Sequence, residues 1–141
     1  MPVRTAERKT DLTAVLEIWK EAGPGIQLSP SDHPEELAKK LERDPDLFLV
    51  YEEHGEILGA VLGGFDGRRG LMYHLAVPAG QRRKGIGKAL MLELEARLRQ
   101  KGCLKYYLLV TPDNAAALSF YETMGCVPMD LRVLGKEIEC A

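Results

Sequence analysis

Residues 75–88 read LAVPAGQRRKGIGK. Leu75, Ala76 and Val77 end a β-rich run and Pro78 breaks it. A basic loop with Gly80, Gly85 and Gly87 then opens a helix whose apolar residues Ile86, Leu90, Leu94 and Leu98 recur every fourth position. Strand, loop and helix N-terminus in that order form an anion cradle. The first amides of a helix have no partner within it and carry the positive end of its dipole, so they present N–H groups to whatever lies above them. Gly85 and Gly87 keep side chains off that backbone. Arg82, Arg83, Lys84 and Lys88 place four positive charges in seven residues with no acid among them.

A charged cluster at a helix start is often only a solvated surface, so the glycine spacing decides. A phosphate loop of the form G-x-x-x-x-G-K-[ST] fits Gly80 and Gly85 but then requires Lys and Ser or Thr where Ile86 and Gly87 stand. A dinucleotide fingerprint G-x-G-x-x-G fits Gly85 and Gly87 but meets Leu90 where a third small residue belongs, and the strands around it read as antiparallel. The pattern that holds is R-x-x-G-x-G over residues 82–87.

Upstream, Thr10 or Asp11 is the expected cap of a helix carrying Leu12, Val15, Leu16 and Trp19 and ending at Gly23-Pro24-Gly25. Asp32 with Glu35 reads as the capping box of a shorter helix carrying Leu37, Ala38 and Leu41, which stops before Pro45. Residues 47–52, 56–65 and 71–77 read as three successive antiparallel strands, the first two joined by His54-Gly55 and the last following the turn signal Asp66-Gly67. The run 63–70, GGFDGRRG, is expected to make the hairpin. The strongest helix spans 84–101 with Gly102 as its stop. Residues 104–110 have few polar positions and read as a central strand buried on both faces. A helix over 114–124, ended by Gly125, and a last strand over 131–138 complete the chain. With a short first strand at 3–7, the expectation is a mixed α+β fold, a mostly antiparallel sheet flanked by helices, in the order β-α-α-β-β-β-α-β-α-β.

The 141 residues suit one domain, and neither a repeat nor a linker divides them. With 19 Lys plus Arg against 21 Asp plus Glu, the chain lacks the broad basic face of a nucleic-acid binder, and no aromatics interleave Arg68, Arg69 and residues 82–88. The longest uncharged stretch, residues 70–81, is twelve residues and contains Pro78, too short to cross a bilayer. The N-terminus lacks the apolar core of a secretory signal, and Cys103, Cys126 and Cys140 show no C-x-x-C spacing. These features lead to the expectation of a cytoplasmic protein with reduced thiols, no metal, no membrane and no nucleic acid.

The loop at 82–87, preceded by Leu75-Ala76-Val77, together with PDNAAALSFYETMGC at 112–126, resembles the GNAT superfamily of acetyl-coenzyme A dependent N-acetyltransferases. The resemblance covers almost the whole chain in element order. It implies that the backbone of Arg82, Arg83, Lys84, Gly85, Ile86 and Gly87 binds the coenzyme A pyrophosphate and that Leu75, Ala76 and Val77 pair with the pantetheine arm. It further implies that Asn114 assists cofactor binding and that Tyr121, seven residues on and on the same helix face, protonates the departing sulfur. Lys88 joins the cofactor set by charge alone. A pantetheine arm is an amide chain, so an exposed strand edge suits it.

The reaction so implied is direct attack of a neutral primary amine, on a small molecule or a peptide, with no covalent enzyme intermediate. A lysine amine is only ~10⁻³ neutral near pH 7.4 whereas an α-amine is roughly a third neutral, so the acceptor decides how much base is needed. His74, Glu52, Glu53 and Asp66 are the candidate bases. In the branch that acetylates a ribosomal protein N-terminus a glutamate stands five residues before the Asn; here that position is Leu109, so that substrate is not implied. The resemblance implies that acceptor contacts come from residues 22–36, where Asp32, Glu35 and Glu36 are acidic. A module that binds the coenzyme and senses without turnover is the competing reading. The apolar edge at 131–138 leaves a homodimer open.

Overall fold

In the computed structural model, residues 2–22 and 28–138 are described. The stop expected at Gly23-Pro24-Gly25, part of the expected acceptor region, and Cys140 lie outside the described residues. The chain divides into two compact units, Met1–Thr111 and Pro112–Ala141.

The first unit holds β1 (Val3–Thr5), α1 (Arg8–Glu21), a 3-10 turn (Pro30–Asp32), α2 (Pro34–Arg43), β2 (Phe48–Glu53), β3 (Glu56–Phe65), β4 (Gly70–Met72), α3 (Ile86–Gln100) and β5 (Tyr106–Leu108). The sheet runs β1-β2-β3-β4-β5, antiparallel throughout except for the parallel pair β4 and β5. The second unit holds α4 (Ala115–Thr123). The mixed α+β class and the mostly antiparallel sheet are as the sequence implies.

Three helix starts differ from expectation. α1 begins at Arg8, before Thr10 and Asp11, because Asp11 acts from inside the first turn: Oδ2 accepts the Glu7 amide at 2.6 Å, and the Arg4 guanidinium grips both carboxylate oxygens at 2.7 and 3.1 Å. α2 begins at Pro34, which fits the first helical position because its missing N–H is not needed there. Asp32 therefore does not cap α2; its Oδ2 accepts the Ser29 amide across the 3-10 turn at 3.1 Å. α3 begins at Ile86, two residues inside the expected span, because Gly85 takes the left-handed conformation at φ 80°. Its stripe is as expected, with Ile86, Leu90, Leu94 and Leu98 buried, and Met91 beside them.

His54 and Gly55, at φ 52° and 78°, make a two-residue turn of the kind whose twist matches a hairpin. Along β3 the two faces diverge. Ala60 and Leu62 join Phe48, Val50, Trp19 and Leu37 in a core under α1 and α2. Gly59 and Gly63 face α3, where a Cβ would lie 2.9 Å from Ile86 Cγ2 and 2.5 Å from Leu94 Cδ1, so the helix rests on the strand backbone. Gly63 and Gly64 thus belong to the strand. The turn is at 66–69, with Asp66 Oδ1 accepting the amides of Arg68 and Arg69 at 2.8 Å each.

The strand expected over 71–77 is interrupted. The ladder ends at Met72 opposite Gly63 and resumes at a single bridge, Ala76 opposite Ala60, so β4 spends four steps where β3 spends three. That extra residue is a bulge. β5 is shorter than 104–110 and lies at the sheet edge, paired only with β4 and half-buried, with Leu109 56% exposed. A strand with one neighbour is not the central, doubly buried strand its apolar composition suggested. Residues 131–138 form no strand, and Leu131, Val133, Leu134 and Ile138 are exposed. An apolar pattern names a face but no pairing partner, and without one the backbone groups have no ladder to join. No helix among the described residues is long and apolar enough to cross a membrane.

Candidate active site

The site is built outward from the bulge in β4. Tyr73 donates its amide to Leu62 O at 2.7 Å, and Ala76 exchanges both backbone hydrogen bonds with Ala60 at 2.9 and 3.0 Å. β4 and β5 pair at Gly70 with Tyr106, Leu71 with Tyr107 and Met72 with Leu108, and no farther. Beyond Met72, the edge of residues 73–77 that would face β5 has no strand partner among the described residues.

Pro78 and a 3-10 turn, Ala79–Gln81, carry the chain into the basic loop. Arg82 Nε donates to Val77 O at 3.0 Å, tying the loop back to the strand end, and Lys84 Nζ donates to Gln81 Oε1 at 3.0 Å. Arg83 at φ 67° and Gly85 at φ 80° turn the backbone over before the helix. The first helical bond is Ala89 N–H to Gly85 O, so the amides of Gly85, Ile86, Gly87 and Lys88 have no acceptor among the described residues. A Cβ at Gly85 would meet nothing within 4 Å, so the space above the amides is open. Arg82, Arg83, Lys84 and Lys88 are all exposed around it. This loop fits a pyrophosphate: N–H groups without an acceptor among the described residues, a helix dipole and exposed cations close together.

The candidate bases separate. Glu52 is held by Arg4 Nε at 3.1 Å, within the ion cluster that fastens β1 to α1. Glu53 is half-exposed at the hairpin beside His54. Asp66 is a turn former, and the amides of Arg69 and then Arg68 hold its carboxyl below the usual range. His74 differs from all three. Its Nε2 lies 3.1 Å from Asp32 Oδ1, its ring meets the Trp19 ring edge-on at 4.9 Å, and the two partner side chains are 17% and 9% exposed. Sequence reasoning treated Asp32 and His74 separately, because one reads locally as a cap and the other as an isolated strand histidine. A cleft of about 610 Å³ bordered by Arg4, Glu7, Asp11 and Glu52 belongs to the ion cluster at β1 and α1. Cys103 Sγ is bonded to Lys105 O at 3.2 Å. No group of three or more His, Cys, Asp or Glu able to hold a metal occurs among the described residues.

In the second unit, Asn114 is the N-cap of α4, its Oδ1 accepting the Ala117 amide at 3.2 Å. Tyr121 lies two turns on. Burial, reinforced by Cys126, pushes its hydroxyl up to about 12. Its carbonyl accepts the Cys126 amide at 2.9 Å where Gly125 ends the helix.

A bulged strand thus leads through an amide-rich basic loop into a long helix. The model of the acetyltransferase (GNAT) family matches residues 12–126. An acetyltransferase of Pectobacterium atrosepticum is 42% identical over 132 residues, covering 93% of this chain and 92% of the relative. One of Sodalis glossinidius is 40% identical over 133 residues with the same coverage, 93% and 92%. Among solved structures, Ard1 of Thermoplasma volcanium has TM-score 0.78 at 25% identity over 89% of this chain and 81% of that one. The PaiA N-acetyltransferase of Thermoplasma acidophilum, solved in complex with coenzyme A, has TM-score 0.78 at 22% identity over 92% and 91%. The chain belongs to the GNAT family of acetyltransferases.

Proposed function

We propose that residues 1–141 act as one N-acetyltransferase domain that moves an acetyl group from acetyl-coenzyme A to a primary amine by direct attack in a ternary complex. The observation that carries this reading is the row of four amides, Gly85 to Lys88, at the start of α3 beside a strand edge, both without partners among the described residues. Acetyl-coenzyme A, when bound, supplies an activated thioester. The amides and the side chains of Arg82, Arg83, Lys84 and Lys88 hold its pyrophosphate. Backbone groups of Leu75, Ala76 and Val77 extend β4 along the pantetheine arm and orient the carbonyl for attack. Asn114 shapes the start of α4 at the cofactor, and Tyr121 donates to the departing sulfur. With a hydroxyl at about 12, Tyr121 keeps its proton at neutral pH. Full transfer from it to a thiolate of ordinary pKa near 8.5 runs uphill, so its contribution is a hydrogen bond to developing charge.

Thermal-shift measurement with coenzyme A and with acetyl-coenzyme A tests the reading first. Stabilisation is expected, and its absence with both overturns the assignment. Gly85→Asp places a carboxylate beneath the pyrophosphate and strains a residue at φ 80°, so binding is expected to be lost. Thiol release across a panel of amines then separates an enzyme from a sensor that binds without turnover.

A further inference from the structure

We propose that His74, held by Asp32, is the group that takes the proton from the incoming ammonium, with Asp32 as its positioning residue. The inference rests on the acetyl-transfer reading and adds to it the group that makes the acceptor nucleophilic.

Three observations converge. The bulge after Met72 breaks the alternation of β4, so two consecutive side chains share the face under α1 and α2. Tyr73 lies against Gly64 beside Lys40 of α2, and His74 lies against Trp19 of α1. His74 is thereby turned to the helix side of the sheet one residue before Leu75, where the thioester-binding edge begins. Second, both oxygens of Asp32 are committed: Oδ2 accepts the Ser29 amide at 3.1 Å and Oδ1 faces His74 Nε2 at 3.1 Å. A carboxylate only accepts, so Nε2 carries the ring proton and Nδ1 the lone pair. The base is thus preset in one tautomer. Third, Trp19 Nε1, on the ring that meets His74, is buried with no hydrogen-bond partner among the described residues, a buried donor that calls for an explanation.

The other charged groups around the ring do not compete for this role. Tyr73 is its neighbour on β4, and the Lys40–Asp44 ion pair on α2, closed at 2.6 Å, flanks Tyr73. α1 presents the Trp19 ring, which itself belongs to one apolar cluster with Ala60 and Leu62 of β3.

The step balances without a further reactant. Nδ1 takes one ammonium proton, and the freed nitrogen pair forms the N–C bond as the C–S bond breaks. The second amine proton leaves to solvent, the sulfur departs with the C–S electron pair as a thiolate that the Tyr121 hydroxyl hydrogen-bonds and solvent protonates, and Nδ1 returns its proton to solvent.

The test is kcat against pH at saturating substrates for wild type, His74→Gln and Asp32→Asn, with coenzyme A affinity and melting temperature measured in parallel. With His74 present, kcat is expected to hold as pH falls below the ammonium pKa of an α-amine, about 7.8. In His74→Gln kcat is expected to fall as pH drops through that ammonium pKa. The loss is about 10²-fold near pH 6.8, at the low end of acid–base effects, and shrinks to less than about tenfold by pH 9, where the amine is already neutral. Asp32→Asn is expected to hold kcat below that ammonium pKa as wild type does, but at a more modestly lowered level. Coenzyme A affinity stays within about twofold in both. A His74→Gln profile parallel to wild type at every pH overturns the role of His74 while leaving acetyl transfer intact. Failure of wild type to bind coenzyme A overturns the reading beneath it, and coenzyme binding without thiol release from any amine overturns both the enzyme and its base.

Discussion

Tyr121 and Asp11 show how one side chain ties stability to pH. The Tyr121 hydroxyl is raised from about 10 to about 12 by burial and then by Cys126, so the folded state holds its proton more tightly than the unfolded chain. The sign follows: this contribution is complete below pH 10 and is lost as pH rises through 12, about 2–3 kcal/mol in all. Denaturant melts at pH 9 and 11 are expected to show about half of that loss, about 1.3 kcal/mol, in wild type and much less in Tyr121→Phe. The same variant is expected to turn over about tenfold more slowly with unchanged coenzyme affinity, and wild-type kcat in it would remove Tyr121 from the chemistry. Asp11 works the other way. Burial would raise its carboxyl, but Arg4, the Glu7 amide and Thr10 together lower it. Its contribution is therefore present above the ordinary carboxylate range and disappears as the medium is acidified. Asp11→Ala leaves Arg4 without its bidentate partner and is expected to cost about 3 kcal/mol in urea unfolding. At this scale the sequence reads well where partners are adjacent. Arg82, Gly85 and Gly87 are legible because loop and helix start are contiguous. The Asp32 and His74 pair joins residues 42 apart in the chain, and no local pattern announces it.

Among elements, α3 was the most legible, since a four-residue stripe repeated over three turns fixes both the helix and its buried face. What the stripe could not reveal is how closely the helix lies on β3. Gly63→Ala would put a methyl 2.5 Å from Leu94 Cδ1, and the overpacking is expected to lower stability by about 1–3 kcal/mol. Coenzyme affinity should not change, because Leu94 is about 1.7 turns beyond the end of the amide row. The break in β4 was invisible for a different reason: a bulge is one extra residue, and residues 71–77 read as evenly apolar with or without it. β5 and residues 131–138 were misjudged because composition measures a segment's preference for burial, while its depth depends on neighbours contributed by other segments.

For the molecule as a whole, a net charge of −2 conceals one local surplus of cations. Because Arg82, Arg83, Lys84 and Lys88 are exposed, salt screens them efficiently, with a Debye length of about 10 Å at 0.1 M. Coenzyme A affinity, measured by calorimetry, is expected to fall roughly tenfold between 0.05 and 0.5 M salt, while the melting temperature of the free protein moves little. A contribution confined to the apolar strand edge would leave affinity flat.

Gly59 gives the arrangement a consequence of its own. A Cβ built there would lie 2.9 Å from Ile86 at the first turn of α3 and 3.3 Å from Ala76 O on β4. It is thus the shim between the two halves of the proposed coenzyme site, and its thickness is zero. Helix start and strand edge are gauged against one bare backbone position that carries no charge. One added methyl would re-space them, so Gly59→Ala is expected to weaken the coenzyme well beyond its effect on melting, where Gly63→Ala on the same face does the reverse. A binding site's calibration can therefore reside in a residue the ligand never touches.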